Sequence, residues 1–155
     1  MEIRRFRETD ADAVAAVVAE TVRVSSSRDY PPEYISELVK THSAEVLRKR
    51  AQEGHMYVAC DGDTIVGTGT IAPYWGSETE SILLTIFVLP EYQGKGIGRA
   101  IIEALEQDEF AKRAQRIEIP ASLTAVQFYR HLGYDYKNGV TLPEDGLMYR
   151  LEKKR

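Results

Sequence analysis

The stretch VLPEYQGKGIGRAIIEALEQ, Val88 to Gln107, decides how this chain is read. Gly94, Gly96 and Gly98 stand within six residues, and a helical pattern follows at once. Glycine costs about 0.5–1 kcal/mol inside a regular element, so the cluster marks a backbone that must bend or be approached closely. Ile97, Ala100, Ile101, Ala104 and Leu105 then fall at i, i+3, i+4, i+7 and i+8, one face of an amphipathic helix. Upstream, SILLTIFVL (81–89) is almost continuously apolar, as expected of a strand buried on both faces, and Pro90 ends it. Downstream, RIEIP (116–120) alternates as a second strand. The unit from Ser81 to Pro120 is therefore a parallel crossover, expected to be right-handed.

Outward from this unit the pattern is antiparallel. Residues 2–7 alternate around Ile3 and Phe6 as a short strand, and Thr9 and Asp10 supply N-cap chemistry for the alanine-rich helix 11–24. SSSRDYPPEY (25–34) reads as a loop, followed by helices from about Glu33 to Lys40 and from Ser43 to about Gln52, ending near Gly54. MYVACDGDTIVGTGTI (56–71) is a hairpin around Asp61-Gly62, in which Gly67 and Gly69 leave room for a close neighbour. APYWGSETE (72–80) is a turn-rich link. Near the end, Ser122 is expected to cap a short helix whose apolar face holds Ala125, Phe128, Tyr129 and Leu132, with Gly133 as its stop. YDYKNGVTL (134–142) and GLMYRLE (146–152) read as two final strands. No repeat or boundary interrupts residues 1–155, so one domain is expected, of mixed α/β class with helices on the faces of the sheet.

Composition narrows the function classes. Hydrophobic residues make up 43% and charged residues 28%, ordinary for a globular protein. The net charge of −4 argues against a nucleic-acid-binding surface. No apolar run approaches a membrane span and no signal core opens the chain. A single cysteine, Cys60, cannot form an internal disulfide or a cysteine-based zinc site, so a cytoplasmic location is expected, with Cys60 a small buried hydrophobe. Three scattered histidines, His42, His55 and His131, show no metal spacing, and no metal is expected.

Three phosphate-binding readings compete for the glycines, against a plain glycine-rich turn. A P-loop needs glycine where Leu89 stands, and Ser or Thr where Gly96 follows Lys95. A dinucleotide fingerprint started at Gly94 or Gly96 puts Arg99 or Ile101 in its third glycine position. The third reading is a pyrophosphate cradle of the kind coenzyme A requires: free N–H groups at a helix N-terminus attract phosphate, and Arg99 in the first turn adds a charged contact.

VLPEYQGKGIG resembles the acetyl-CoA-binding signature of the GNAT superfamily of N-acetyltransferases, Gln/Arg-x-x-Gly-x-Gly/Ala, with Gln93, Gly96 and Gly98 in its positions. ASLTAVQFYRHLGY (121–134) resembles the family's C-terminal A-x-x-F-Y-x-x-L-G-[FY] run. The resemblance covers nearly the whole chain, most strongly Ile82 to Tyr134. It implies a mostly antiparallel central sheet with one parallel strand pair, and acetyl-CoA as co-substrate held by the turn Gln93, Gly94, Lys95, Gly96, Ile97, Gly98 and Arg99. It also implies that the backbone near Ile86, Phe87 and Val88 holds the pantetheine arm and polarises the carbonyl, at an irregular point of the strand. Many relatives carry Asn where this chain has Ser122, which leaves a cofactor contact from that side chain in question. Homodimers are common among relatives, though no strip of this sequence displays one.

The implied reaction is attack of a primary amine of a small molecule or peptide on the thioester, in a ternary complex. A lysine-like amine costs about 4.6 kcal/mol to neutralise at pH 7, the larger demand beside a leaving thiol of pKa near 8.5. Tyr129 matches the family's general acid; the alternative is a core tyrosine beside Phe128 and Leu132. Glu80, with Glu78 nearby, is a candidate base; the alternative is a solvated turn residue. Tyr30, Tyr34, Tyr74 and Trp75 are candidates for an acceptor clamp, or for ordinary loop packing. A non-catalytic acyl-CoA sensor of the same fold and an NAD-type domain are the rival functions.

Overall fold

The structure is a computed structural model and describes residues 1–155. One seven-stranded sheet runs in the order β1-β2-β3-β4-β5-β7-β6. Its strands are β1 (Glu2–Arg5), β2 (His55–Asp61), β3 (Thr64–Pro73), β4 (Glu80–Val88), β5 (Arg116–Ser122), β6 (Asp135–Tyr136) and β7 (Met148–Lys154). The helices are α1 (Ala11–Ser25), α2 (Pro32–Lys40), α3 (Ala44–Glu53), α4 (Ile97–Glu106), α5 (Glu109–Lys112) and α6 (Val126–His131). Every strand pair is antiparallel except β4–β5, as the crossover pattern requires.

The sheet is covered on both faces because its strands alternate. On one face Met56, Val58 and Cys60 pack with Val14, Val18 and Val22 of α1 and Leu47 of α3. On the other, α4 lies so close to β3 that a Cβ at Gly69 would sit 2.6 Å from Ile101 and 3.0 Å from Leu105. The two strand glycines thus set the depth at which α4, and the turn that begins it, rests on the sheet. Charges are buried as well. Glu118 of β5 is fully enclosed, and Lys137 (2.8 Å), Arg116 (2.9 Å) and Arg150 (3.1 Å) surround it. Burial pushes its pKa up, but hydrogen bonds from Lys137 and Arg116 outweigh this and hold it below the usual carboxylate value.

Several local expectations change. Asp10 does not cap α1: its carboxylate turns back to the Arg7 N–H at 2.7 Å and the Arg4 guanidinium at 2.8 Å, closing a short turn before the helix. The β2–β3 turn is Gly62-Asp63, because Asp61 already pairs with Thr64. Ser122 does not cap the last helix, since it is still paired with Met148 in the sheet; only its carbonyl contributes, accepting from the Ala125 N–H. Of residues 134–142 only Asp135 and Tyr136 pair as strand, because a 3-10 turn over Lys137–Gly139 takes the chain away from β7.

Two irregularities of β4 create the site. Its pairing with β5 is limited to Glu80↔Arg116, Ser81↔Ile117 and Ile82↔Glu118, after which the strands part. Against β3, Thr85 and Ile86 together face the single residue Gly69, a β-bulge. Thr85 takes a φ of 51°, an outlier for a β-branched residue that costs about 1–3 kcal/mol. Its hydroxyl bonds that of Thr70, and the Leu84 carbonyl at 2.8 Å, which hold the distortion in place.

Candidate active site

The gap between β4 and β5 opens into a cavity of about 700 Å³, within the range of small-molecule sites. Its walls are Leu83 to Val88 of β4, Ile119, Pro120 and Ser122 of β5, the turn before α4, the start of α6, and parts of α1–α3.

At one end lies the glycine turn. Gly94 and Gly96 adopt φ of 77° and 84°, with open space where a side chain would project. The main-chain N–H groups of Gly94, Lys95, Gly96, Ile97, Gly98 and Arg99 donate to no protein acceptor. Six consecutive free donors at the positive end of a helix form a site for a diphosphate, so the residues present fit the phosphates of coenzyme A. Gly98 serves packing instead. A Cβ there would sit 3.1 Å from the Phe128 ring, so its absence lets α6 close on α4. Around this turn, Gln93 spends its amide on the Val88 carbonyl (2.9 Å) and Ser25 (3.2 Å), tying the end of β4 to α1. Arg99 lines the cavity and meets only Glu103, in an exposed pair at 3.7 Å. Lys95 lies over the Tyr92 ring, outside the lining.

Along the wall, Ile86 of the bulge and Phe87 and Val88 beyond it line the cavity. Opposite them, Tyr129 of α6 is 6% exposed. Its hydroxyl has no protein hydrogen-bond partner, yet it is not among the sealed polar atoms, so the cavity is what it meets. Burial raises its pKa well above the ordinary tyrosine value, which keeps the proton on the oxygen.

The aromatic and acidic candidates are not brought together. Tyr30 lines the cavity, but its hydroxyl is committed, donating to the Leu147 carbonyl (2.6 Å) and accepting from the Leu123 N–H (3.1 Å). Tyr34 stacks on Tyr30 at 4.6 Å and does not line it. Tyr74 is covered by Arg116 and Lys137, and Trp75 is 78% exposed; neither reaches the cavity. Glu80 is also outside, its carboxylate gripped by Arg116 at 2.8 Å. Tyr74, Trp75 and Glu80 share one cause: the link before β4 emerges at the end where β4 and β5 are still paired, and the cleft opens at the other end.

Sequence reasoning passed over His42 and Arg50, which stand on the cavity wall. His42 donates from Nδ1 to the Leu38 carbonyl at 2.8 Å, and its ring meets Phe87 edge-on at 5.5 Å. Burial, with Arg50 nearby, lowers its pKa, so it stays neutral. Arg50 sits in a basic run, Arg48-Lys49-Arg50, which in sequence looks like a solvated face. No group of His, Cys, Asp and Glu that could hold a metal ion is present, and no helix is long and apolar enough to cross a membrane.

The model of the acetyltransferase (GNAT) family matches residues 19–134. The chain belongs to the GNAT family. It is accordingly an acetyltransferase that draws on acetyl-CoA. Among curated proteins it is 25% identical over 134 residues to the uncharacterized N-acetyltransferase YafP of Escherichia coli (strain K12), covering 86% of this chain and 81% of that one. Solved acetyltransferase structures share the fold. The PaiA N-acetyltransferase of Thermoplasma acidophilum, crystallised with coenzyme A, aligns with a TM-score of 0.84 at 22% identity, over 99% of this chain and 98% of its own. The ribosomal-protein-alanine N-acetyltransferase of Brucella melitensis aligns with a TM-score of 0.72 at 19% identity, over 100% of both chains.

Proposed function

We propose that the protein transfers the acetyl group of acetyl-CoA to a primary amine of a small molecule or peptide, by direct attack in a ternary complex, with residues 1–155 acting as one acetyltransferase domain. The observation that carries this reading is the Tyr129 hydroxyl, protonated and without a protein partner, on the wall of a cleft bordered by a turn with six free N–H groups. Acetyl-CoA supplies the acetyl group as a thioester. The turn Gly94–Arg99 holds its phosphates through main-chain donors, with the Arg99 guanidinium beside them. The bulged segment Thr85–Val88 lines the path towards the sheet centre, where donors fixed by the strained backbone polarise the carbonyl without reorganising. As the amine nitrogen bonds to the carbonyl carbon and the carbon–sulfur bond breaks, Tyr129 gives its proton to the sulfur. The proton lost by the amine returns to Tyr129 through cavity water, so the products are an N-acetylamine and a free thiol. Glu80 has no part in this scheme.

The test is thiol release from acetyl-CoA across a panel of amines, with thermal shift in parallel. Amine-dependent release together with stabilisation by acetyl-CoA and not by NAD is expected. Stabilisation by acetyl-CoA with no release for any amine would favour an acyl-CoA sensor instead.

A further inference from the structure

Arg50 is the unexplained charge of the cavity. It belongs to the last turn of α3 and lines the wall. No carboxylate lies within ion-pair distance of it. Glu53, three residues on, attracts it only from farther away, and burial lowers its pKa. One N–H points at His42 Nε2 at 3.4 Å. The remaining N–H groups have no protein acceptor and stay open to solvent. A half-buried guanidinium with no carboxylate beside it is a ready partner for an anion brought into the cavity.

The phosphates of the co-substrate do not meet this need. Their donors, Gly94 to Arg99, begin α4 on one face of the sheet, whereas α3 and its neighbours cover the other. Arg50 lines the cavity beside His42, whose ring abuts Phe87, the last residue but one of β4. With the phosphates held from the α4 face, the α3 face is the one left open to an acceptor. Asp29 is the only carboxylate among the lining residues, set against Arg50 and Arg99, in a protein whose net charge is −4. A polycation would bring further positive charge up to Arg50 with a single acid to offset it. An amine that also carries an anion would satisfy the guanidinium, whose planar fork suits carboxylate and phosphate alike.

We propose that Arg50 reads an oxyanion on the acceptor, so that the substrate is a primary amine bearing a carboxylate or phosphate, such as an amino acid or a peptide with a free acid. This rests on the acetyltransferase reading above and adds the acceptor's class to it. His42 acts as a positioning residue: its Nδ1–H is fixed by the Leu38 carbonyl, so its Nε2 lone pair is turned to Arg50 and steadies the guanidinium.

Matched pairs of amines test it, each pair differing by the anion: L-lysine against cadaverine, glycylglycine against glycylglycinamide, and O-phosphoethanolamine against ethanolamine. Thiol release from acetyl-CoA gives kcat/KM for each, in the wild type, Arg50→Gln and Arg50→Lys. A preference of about 10- to 150-fold for the anionic member of at least one pair is expected. The first two pairs report a carboxylate and the third a phosphate. Arg50→Gln should abolish the preference through KM, and Arg50→Lys should keep part of it. Stabilisation by acetyl-CoA should persist in both variants, which shows that they are folded and hold the co-substrate. Calorimetric binding of the acetylated products, with coenzyme A present, reads the same site without turnover. Equal use or preference of the neutral members, a preference that survives Arg50→Gln, or no anionic product bound more tightly by wild type than by Arg50→Gln would each overturn the proposal. No release from any amine, together with Arg50-dependent product binding, would leave the anion site standing and remove the catalytic reading.

Discussion

Replacing Tyr129 by Phe removes one oxygen that touches no protein atom at hydrogen-bond distance. That separates two roles which are otherwise hard to divide. A buried hydroxyl engaged in packing would have a partner, and its loss would cost about 1–3 kcal/mol, or roughly 2–12 °C in Tm for a chain of this size. Tyr129 has no such partner, so the variant should melt within about 2 °C of wild type, equivalent to about 0.5 kcal/mol. Turnover should behave otherwise. Losing a placed general acid costs about 10²–10⁴ in rate, and a thiol of pKa near 8.5 leaves more readily than an amine, so the lower end, about 10²-fold in kcat, is expected. The KM for acetyl-CoA should move by less than about twofold, because the phosphates are held by main-chain donors and not by the Tyr129 hydroxyl. Burial raises the pKa of Tyr129, so the acid stays protonated and the ratio of wild-type to variant kcat should be flat from pH 6 to about 9. The assay is initial-rate thiol release with a saturating amine, beside a thermal melt. Unchanged kcat, or a Tm lower by several degrees, would refute the assignment and make Tyr129 a packing residue.

Three further predictions concern the frame around the cleft. Gly69→Ala places a methyl 2.6 Å from Ile101, so α4 must shift outward at a cost of about 1–3 kcal/mol, a drop of roughly 2–12 °C in Tm, read by thermal melt with and without acetyl-CoA. Glu80→Gln should leave kcat unchanged and lower stability by less than about 1 kcal/mol, since the pair with Arg116 is partly exposed at 39% on the Glu80 side; a large loss of kcat would restore Glu80 as a base. Glu118 has a folded pKa below its unfolded value, so its contribution is present above about pH 4.5 and is lost as pH falls through the folded value. Acid titration of unfolding should therefore show a steep limb below that pH, flattened in Glu118→Gln, which at neutral pH should cost about 3–5 kcal/mol by leaving Arg116, Lys137 and Arg150 short of their shared acid.

The crossover from Ser81 to Pro120 was legible because each piece carries its own period: a continuous apolar run, then the i, i+3, i+4 face of α4, then alternation. The glycines were legible as a group but not one by one. Gly94 and Gly96 bend the chain, whereas Gly98 makes room for Phe128, a residue thirty positions away that no local pattern can connect to it. The aromatic link at Tyr74 and Trp75 and the acid at Glu80 were misleading for one reason. Adjacency to β4 says nothing about which end of β4 opens, and that depends on where β5 stops pairing, which is a property of two strands together. Arg50 was hidden in the same way. Nothing in Arg48-Lys49-Arg50 distinguishes the residue that turns inward, because the choice is made by the rotation of α3 on β2.

The three residue pairs that join β4 to β5 have a mechanical consequence. They make the sheet resemble a book with a short spine: β1 to β4, carrying α4, are one cover and β5 to β7 the other, with Glu106 of α4 reaching across to Lys153 of β7 at 2.9 Å. Little main-chain bonding resists a change in the angle between the covers, so whatever lies between them also serves as a brace. Holding a ligand and stiffening the two covers are, in this protein, the same event.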